Sequence, residues 1–307
     1  MADIKELQEI LKQNPNDFKT MEEYAIALSD IGENEEALKN FLYLKKMFPE
    51  NPQILYNIGI ILEKLKYFDE SIEAYEKALS LSKDDADIMF NLANSYIKKK
   101  YYDKAEELFL EVLKLDEYDS NSYFHLGEIY SRKKEHEKAV QMLSKVLELN
   151  NDDVIAKFYL AFEQKELGNI DIAIKLYKEV IEQSPDYSWA YYNLASIALE
   201  QGDDFSAIEY LEQTIKTNPD DIDAIKLLVK VYSKNKNYKT AEKLLKNATL
   251  QKPLEADLFY LFAQLYKAIG NKISYLKYLK YAEKKSSTFT GNIDSLRDEI
   301  ESAEIKK

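Results

Sequence analysis

Two histidines are all the imidazole this 307-residue chain has, and cysteine is absent, so the side chains that most often carry nucleophilic or metal chemistry are scarce. His125 falls inside one apolar-periodic stretch and His136 opens another; neither belongs to an H-E-x-x-H or other ligand spacing. Carboxylates are plentiful, at 55 Asp and Glu, yet most recur at spacings that suit Lys partners on a solvated helical face, and none stands as a paired acid and base. Glycine-rich phosphate loops and nucleophile elbows are missing. The remaining chemistry is that of holding. Aromatic rings recur in steps of 34 residues at Tyr56, Phe90, Phe124, Phe158 and Tyr192, and again at Tyr260, and the next residue is Asn57, His125 or, at two further steps, Asn91 and Asn193. A ring offers broad apolar contact, and an amide offers a donor and an acceptor on one plane, which is what an extended peptide backbone requires. Two readings stay open for each. The rings bind a ligand or stack to stiffen neighbouring repeats; the amides grip a backbone or cap adjacent turns.

Such spacing demands a regular scaffold. Steps of 34 from Pro15 land on Pro49, Lys83, Glu117, Asn151, Pro185, Pro219 and Pro253 without one insertion, which makes eight repeats over 15–286. Each repeat holds two apolar-periodic stretches of about a dozen residues, the length and period of helices, split by a short break. Seventeen residues after the anchor stands Gly32, Gly168, Gly202 or Gly270, or else Lys66, Lys100, Lys134 or Lys236, where a left-handed residue would end the first helix. Small residues follow at place 22, from Ala37 and Ser71 through Ala105, Ala139, Ala173, Ala207 and Ala241, broken by Tyr275 in the eighth repeat; large ones follow at place 26. Small then large is what closely crossing helices need. A helix at 1–14, with Ile4, Leu7, Ile10 and Leu11 on one stripe, and another at 287–307, with Ile293, Leu296 and Ile300, are expected to cover the apolar ends of the array.

Taken together the chain resembles the tetratricopeptide repeat family, whose pattern W-x2-L-G-x2-Y…A-x3-F…P is met in Met89, Leu92, Ala93, Tyr96, Ala105 and Phe109, and in Tyr123, Leu126, Gly127, Tyr130 and Ala139. The resemblance implies an all-α, right-handed solenoid with first helices lining a concave groove. It places the ring column and the amides on that groove. The amides are similar to the asparagine ladder of the tetratricopeptide glycosyltransferase that modifies serines, although Glu23, Tyr159, Leu227 and Leu261 interrupt the ladder here. The Lys and Asn clamp by which some members hold chaperone tails is not matched: Glu22 with Ile26, Tyr56 with Ile60 and Phe90 with Asn94 occupy its first pair. Lys226, Lys230 and Lys234 nevertheless form a basic stripe in repeat seven. Phe158 and Phe162 in repeat five, with Trp189 and Tyr192 in repeat six, are expected to take an apolar or aromatic side chain, and Lys226 with Lys230 an acidic flank.

Charge sharpens that polarity. The net charge is −13, with 25 basic against 44 acidic groups over 1–220 but 14 against 6 over 221–285. So acidic a surface repels phosphate backbones and excludes general nucleic-acid binding, while the basic segment suits an acidic partner. No run reaches the roughly 18 apolar residues of a membrane span, Met1 to Asn14 lacks a signal-peptide core, and the lack of cysteine fits a reducing compartment, so a cytoplasmic location is expected. The expectation is a non-catalytic module, without cofactor, that binds a protein or peptide partner in its groove. A self-assembling scaffold is the first alternative, an adaptor or regulatory part of an enzyme the second, and the oligomeric state stays open.

Overall fold

The computed structural model describes residues 4–305. Of the two expected terminal segments, residues 1–3 and 306–307 lie outside the described residues. Among the described residues all regular structure is helical. A leading helix α1 (Ile4–Gln13) is followed by pairs: α2 (Phe18–Asp30) with α3 (Asn34–Met47), α4 (Pro52–Lys64) with α5 (Phe68–Leu81), α6 (Ala86–Lys98) with α7 (Tyr102–Leu115), and α8 (Ser120–Arg132) with α9 (His136–Leu149). The series continues with α10 (Val154–Glu166) and α11 (Ile170–Gln183), α12 (Ser188–Glu200) with α13 (Asp204–Thr217), α14 (Ile222–Lys234) with α15 (Tyr238–Gln251), and α16 (Ala256–Ile269) with α17 (Lys272–Lys284). A single 3-10 turn, Ser286–Thr288, leads into α18 (Ile293–Ile305). No helix among the described residues is long and apolar enough to cross a membrane.

The helices form two compact units, divided at the turn of the fifth repeat: one runs up to Leu167, the other starts at Gly168. Each unit is an α-solenoid in which a first helix packs on its own second helix and on the second helix before it. Polar residues two places after the anchor start the first helices. Asp17, Asn51, Asp85, Asp119, Asp153 and Asp221 each accept a backbone N–H of the first turn, at 2.9–3.3 Å. All eight turn residues end them with positive φ, from 57° at Lys236 to 87° at Gly32, including the four lysines. The N–H of the residue after the turn then reaches back to a carbonyl in the last turn, as Tyr67 does to Leu62 at 2.8 Å and Asn237 to Tyr232 at 2.8 Å.

Packing explains the small and large places. Ala37, Ser71, Ala105, Ala139, Ala173, Ala207 and Ala241 are wholly buried, and so are Tyr75, Phe109, Tyr177, Leu211, Leu245 and Leu279 four residues on. The crossing is tight enough that a Cβ on Gly59 would lie 2.5 Å from the Tyr75 ring, and one on Gly127 2.9 Å from Leu143. Burial of each large side chain stabilises the stack by about 1.5–3 kcal/mol. A second periodic contact ties one repeat to the next: Tyr130 donates to Glu106 at 2.8 Å and Tyr266 to Glu242 at 3.0 Å, as Tyr96 does to Glu76 and Tyr232 to Glu212.

The terminal helices keep the register. The last residue of α1, Gln13, stands 34 before Met47, which ends α3, so α1 has the place of a second helix; Leu296 and Ile300 stand 34 after Phe262 and Tyr266, so α18 has that of a first helix. Arg297 occupies the place where Gly59, Ala93 and Gly127 admit a second helix, and none follows it among the described residues.

Candidate functional site

In the first unit the seventh place of repeats two to five is a ring close to another ring. Tyr56 lies 5.8 Å from the Tyr75 ring, Phe90 meets Phe109 edge to face at 5.4 Å, and Phe124 meets Tyr159 at 5.5 Å. Phe158 lies 5.7 Å from Tyr159 and, like Phe162, is partly buried. His125 is stacked on Phe109 at 5.3 Å, with its Nδ1 2.9 Å from Glu128 Oε2; His136 Nδ1 lies 2.7 Å from Oε2 of the wholly buried Glu163. Both imidazoles therefore sit in structural contacts.

The amides already have partners in two of three cases. Asn91 Nδ2 donates to the Tyr56 hydroxyl at 2.9 Å and to the Asp87 carbonyl at 2.8 Å, and Asn193 Nδ2 donates to the Trp189 carbonyl at 2.8 Å. Asn57 is buried, and its Nδ2 has no hydrogen-bond partner among the described residues. A desolvated donor left over in this way carries an energetic cost.

The second unit differs. Trp189 is 58% exposed although it is the chain's only tryptophan, and its ring stands 6.4 Å from that of Tyr192, one helical turn on. Burial raises the Tyr192 hydroxyl above its ordinary pKa, helped by Asp223 and then Asp221, just as burial, Asp87 and Asp85 raise Tyr56. The seventh place of one repeat thus faces the second and fourth places of the next. In repeat seven this geometry becomes an ion pair: Lys226 Nζ lies 2.8 Å from Asp257 and 3.3 Å from Asp223. Burial works against the Lys226 charge, but Asp257 and Asp223 more than offset it and hold its pKa above the usual lysine value. Lys226 is thus already paired within the fold. Lys230, one turn further, is exposed and has no ion pair among the described residues.

Lys230 stands at the edge of a cavity of about 450 Å³ between α14 and α16. Val229, Leu261, Leu265 and the Tyr260 ring form its apolar walls, and Phe289, Thr290 and Gly291 close its third side. The closing segment is anchored by Thr288, whose hydroxyl accepts the Ala256 N–H at 2.8 Å in place of a side-chain cap from Glu255, and by Thr290, whose N–H donates to Asp257 at 3.0 Å. Behind it Glu299 accepts from Lys267 at 2.8 Å, Tyr275 at 2.6 Å and Tyr260 at 3.2 Å. Burial opposes the charge of Glu299, yet Lys267, Tyr275 and Gln264 keep its carboxyl below the ordinary carboxylate range. The break of the small-residue column at Tyr275 thereby finds its reason: its hydroxyl holds α18.

Sequence reasoning missed the cavity because its third wall has no period. The capping column at place two and the pairing of place seven with the next repeat's place four were available as recurrences, namely Asp17, Asp85, Asp119, Asp153 and Asp221, and Asp87, Asp223 and Asp257.

Profiles described as tetratricopeptide repeat match residues 120–153, 189–221 and 206–265, one described as TPR repeat matches 163–202, and one described as the Psidin N-terminal TPR repeats region matches 2–131. No curated protein matches the chain. Among solved structures it is similar to a tetratricopeptide repeat protein from Parabacteroides merdae, with a TM-score of 0.60 at 18% identity over 93% of this chain and 98% of that one. It is also similar to YrrB, described as a TPR protein with an unusual peptide-binding site, with a TM-score of 0.52 at 24% identity over 60% of this chain and 95% of that one. MamA from Desulfovibrio magneticus gives 0.54 at 20% identity over 56% of this chain and 97% of that one. At these identities the likeness is one of fold.

Proposed function

We propose that this chain, which belongs to the tetratricopeptide repeat family, is a non-catalytic interaction module whose first helices hold an extended segment of a protein partner along the groove. Stacked repeats present one long surface rather than an enclosed site, which suits protein partners in general. Trp189 carries the reading. A ring of that size, 58% exposed on a first helix beside Tyr192, is the kind of side chain that supplies about 2 kcal/mol or more once a partner desolvates it. YrrB has a peptide-binding site on a similar fold. Both histidines lie against carboxylates within the repeats, His125 at Glu128 and His136 at Glu163. Of the residues expected to line the groove, Trp189 and Tyr192 are the anchors and Lys230 the cation in the second unit, whereas Tyr56, Phe90 and Phe124 are packing rings of the first.

A specific observation supports self-assembly as the second reading: Phe205, Leu250 and Ile273, all on second helices, are 72%, 81% and 81% exposed. One comparison separates the two. Proteins retained by the wild type should be lost by Trp189→Ala with Tyr192→Ala and kept by Phe205→Ala. Loss with Phe205→Ala alone, together with a sedimentation coefficient that rises with concentration in the wild type only, would move the function to the outer face.

A further inference from the structure

We propose that the cavity between α14, α16 and the 289–291 segment is a receptor for one aromatic side chain flanked by carboxylates, presented by an acidic segment of the partner. This rests on the reading of the first-helix face as a peptide-binding face, and it names what binds at its C-terminal end.

The size fits: about 450 Å³ falls within the roughly 300–1,000 Å³ of small-ligand sites and exceeds what one solvent molecule needs. The walls are apolar and already in place. Phe289 lies edge-on to Tyr260 at 5.3 Å, and its ring folds over Gly291 so closely that a Cβ there would sit 2.7 Å from it. A pocket whose walls are fixed before binding costs a ligand little ordering. The segment that closes it lies outside the repeat pattern and is held by the Thr288 and Thr290 hydrogen bonds, so the cap of the array doubles as one side of the site.

Charge then selects among apolar ligands. Lys226 is neutralised by Asp257 and Asp223, and Asp257 also accepts two hydrogen bonds from Thr290. Lys230 is left as the uncompensated charge at the rim, within a segment, 221–285, that carries 14 basic against 6 acidic groups. A cationic or neutral ring leaves that ammonium unpaired, whereas a ring with a neighbouring carboxylate satisfies it. Continuity favours a peptide over a free acid. Lys226 and Tyr260, at the cavity's edge, hold the same seventh place as Tyr192, so a chain lying along the first helices reaches the cavity without leaving that face.

Three capped tripeptides and one free acid test this by amide chemical shifts of the full chain: acetyl-Asp-Phe-Asp-amide, acetyl-Asn-Phe-Asn-amide, acetyl-Asp-Ala-Asp-amide and 3-phenylpropionate. The acidic phenylalanine peptide is expected to shift Leu261 and Gly291 saturably, the neutral one to bind about tenfold more weakly, and the alanine one to give no saturable shift. Lys230→Gln should abolish the tenfold preference while both phenylalanine peptides still bind; Gly291→Ala, which displaces Phe289, should weaken both equally. Equal binding of the acidic and neutral peptides, a preference that survives Lys230→Gln, or saturable binding of the alanine peptide would overturn the proposal. Binding of 3-phenylpropionate as tight as that of the acidic peptide would overturn the commitment to a peptide. Because Trp189 and Tyr192 do not line this cavity, failure here leaves their retention experiment standing, and the reverse also holds.

Discussion

In the first unit the seventh place of the repeat carries Tyr56, Phe90 and Phe124, and every one of these rings lies against another ring within 6 Å. In the second unit the same place carries Tyr192, Lys226 and Tyr260, accompanied by an exposed tryptophan, an intramolecular ion pair and a cavity. Helix lengths, turns and crossings are alike in both. Stability is thus supplied by places 22 and 26, common to the two units, which leaves place seven to vary. Tyr260 packs as the first-unit rings do, 5.3 Å from Phe289, so the units differ in Lys226, a charge where the first unit has rings, and in the exposed Trp189 three places before Tyr192. Of the two meanings that the sequence leaves open for the aromatic column, packing is the one these ring contacts carry.

Removing a ring from each unit should separate the two meanings most strongly. Phe90→Ala takes away the contacts with Phe109 and His125 and is expected to cost about 3 kcal/mol in urea unfolding, whereas Trp189→Ala should change stability by less than about 0.5 kcal/mol. Equal losses would erase the distinction. The shared crossing gives the opposite expectation: Ala139→Leu in the first unit and Ala207→Leu in the second should each destabilise by about 1–3 kcal/mol, because both side chains are wholly buried where helices approach closely. A clear difference between them would mean that the units do not share one scaffold.

Turns allow a finer comparison. Lys134 holds φ at 60°, which a side chain disfavours, while Gly202 holds 79° without penalty. Lys134→Gly should therefore stabilise by up to about 1 kcal/mol and Gly202→Lys destabilise by a similar amount, as read by thermal midpoint. The smallest effect is a pH dependence common to both units. Burial, then Glu106, pushes the Tyr130 hydroxyl up to about 12, and burial, then Glu242, does the same for Tyr266. A pKa raised in the folded state contributes stability that is complete below the unfolded value of about 10 and is lost as pH rises through about 12. Tyr130→Phe should flatten the alkaline loss of stability between pH 10 and 12 and leave pH 7 to 9 unchanged in slope.

Local rules made the scaffold readable. Gly32 and Lys66 alike announce a turn because the residue 17 places after the anchor must take a left-handed backbone, and Ala105 with Phe109 announces a crossing because volume there is fixed. The site was less legible. Lys226 looks like a free cation until Asp257, 31 residues on, is brought to 2.8 Å by the stacking of repeats, and Asn91 looks like an open amide until Tyr56 is found at its Nδ2. Phe289 belongs to no repeat at all, so only the fold of the terminal segment shows that it closes a cavity. For the first two the missing information was a contact between repeats and for the third a contact with a segment outside them, neither of which a pattern within one repeat can hold.

The sole tryptophan makes the central claim directly measurable without a substitution. In the free protein Trp189, at 58% exposure, should emit at long wavelength and be quenched readily by acrylamide. If the first-helix face of the second unit holds the partner, saturation with a partner retained by the wild type will shift that emission to the blue and reduce the quenching constant at least twofold. Unchanged emission and quenching at saturation would place the partner elsewhere on the molecule and contradict the claim.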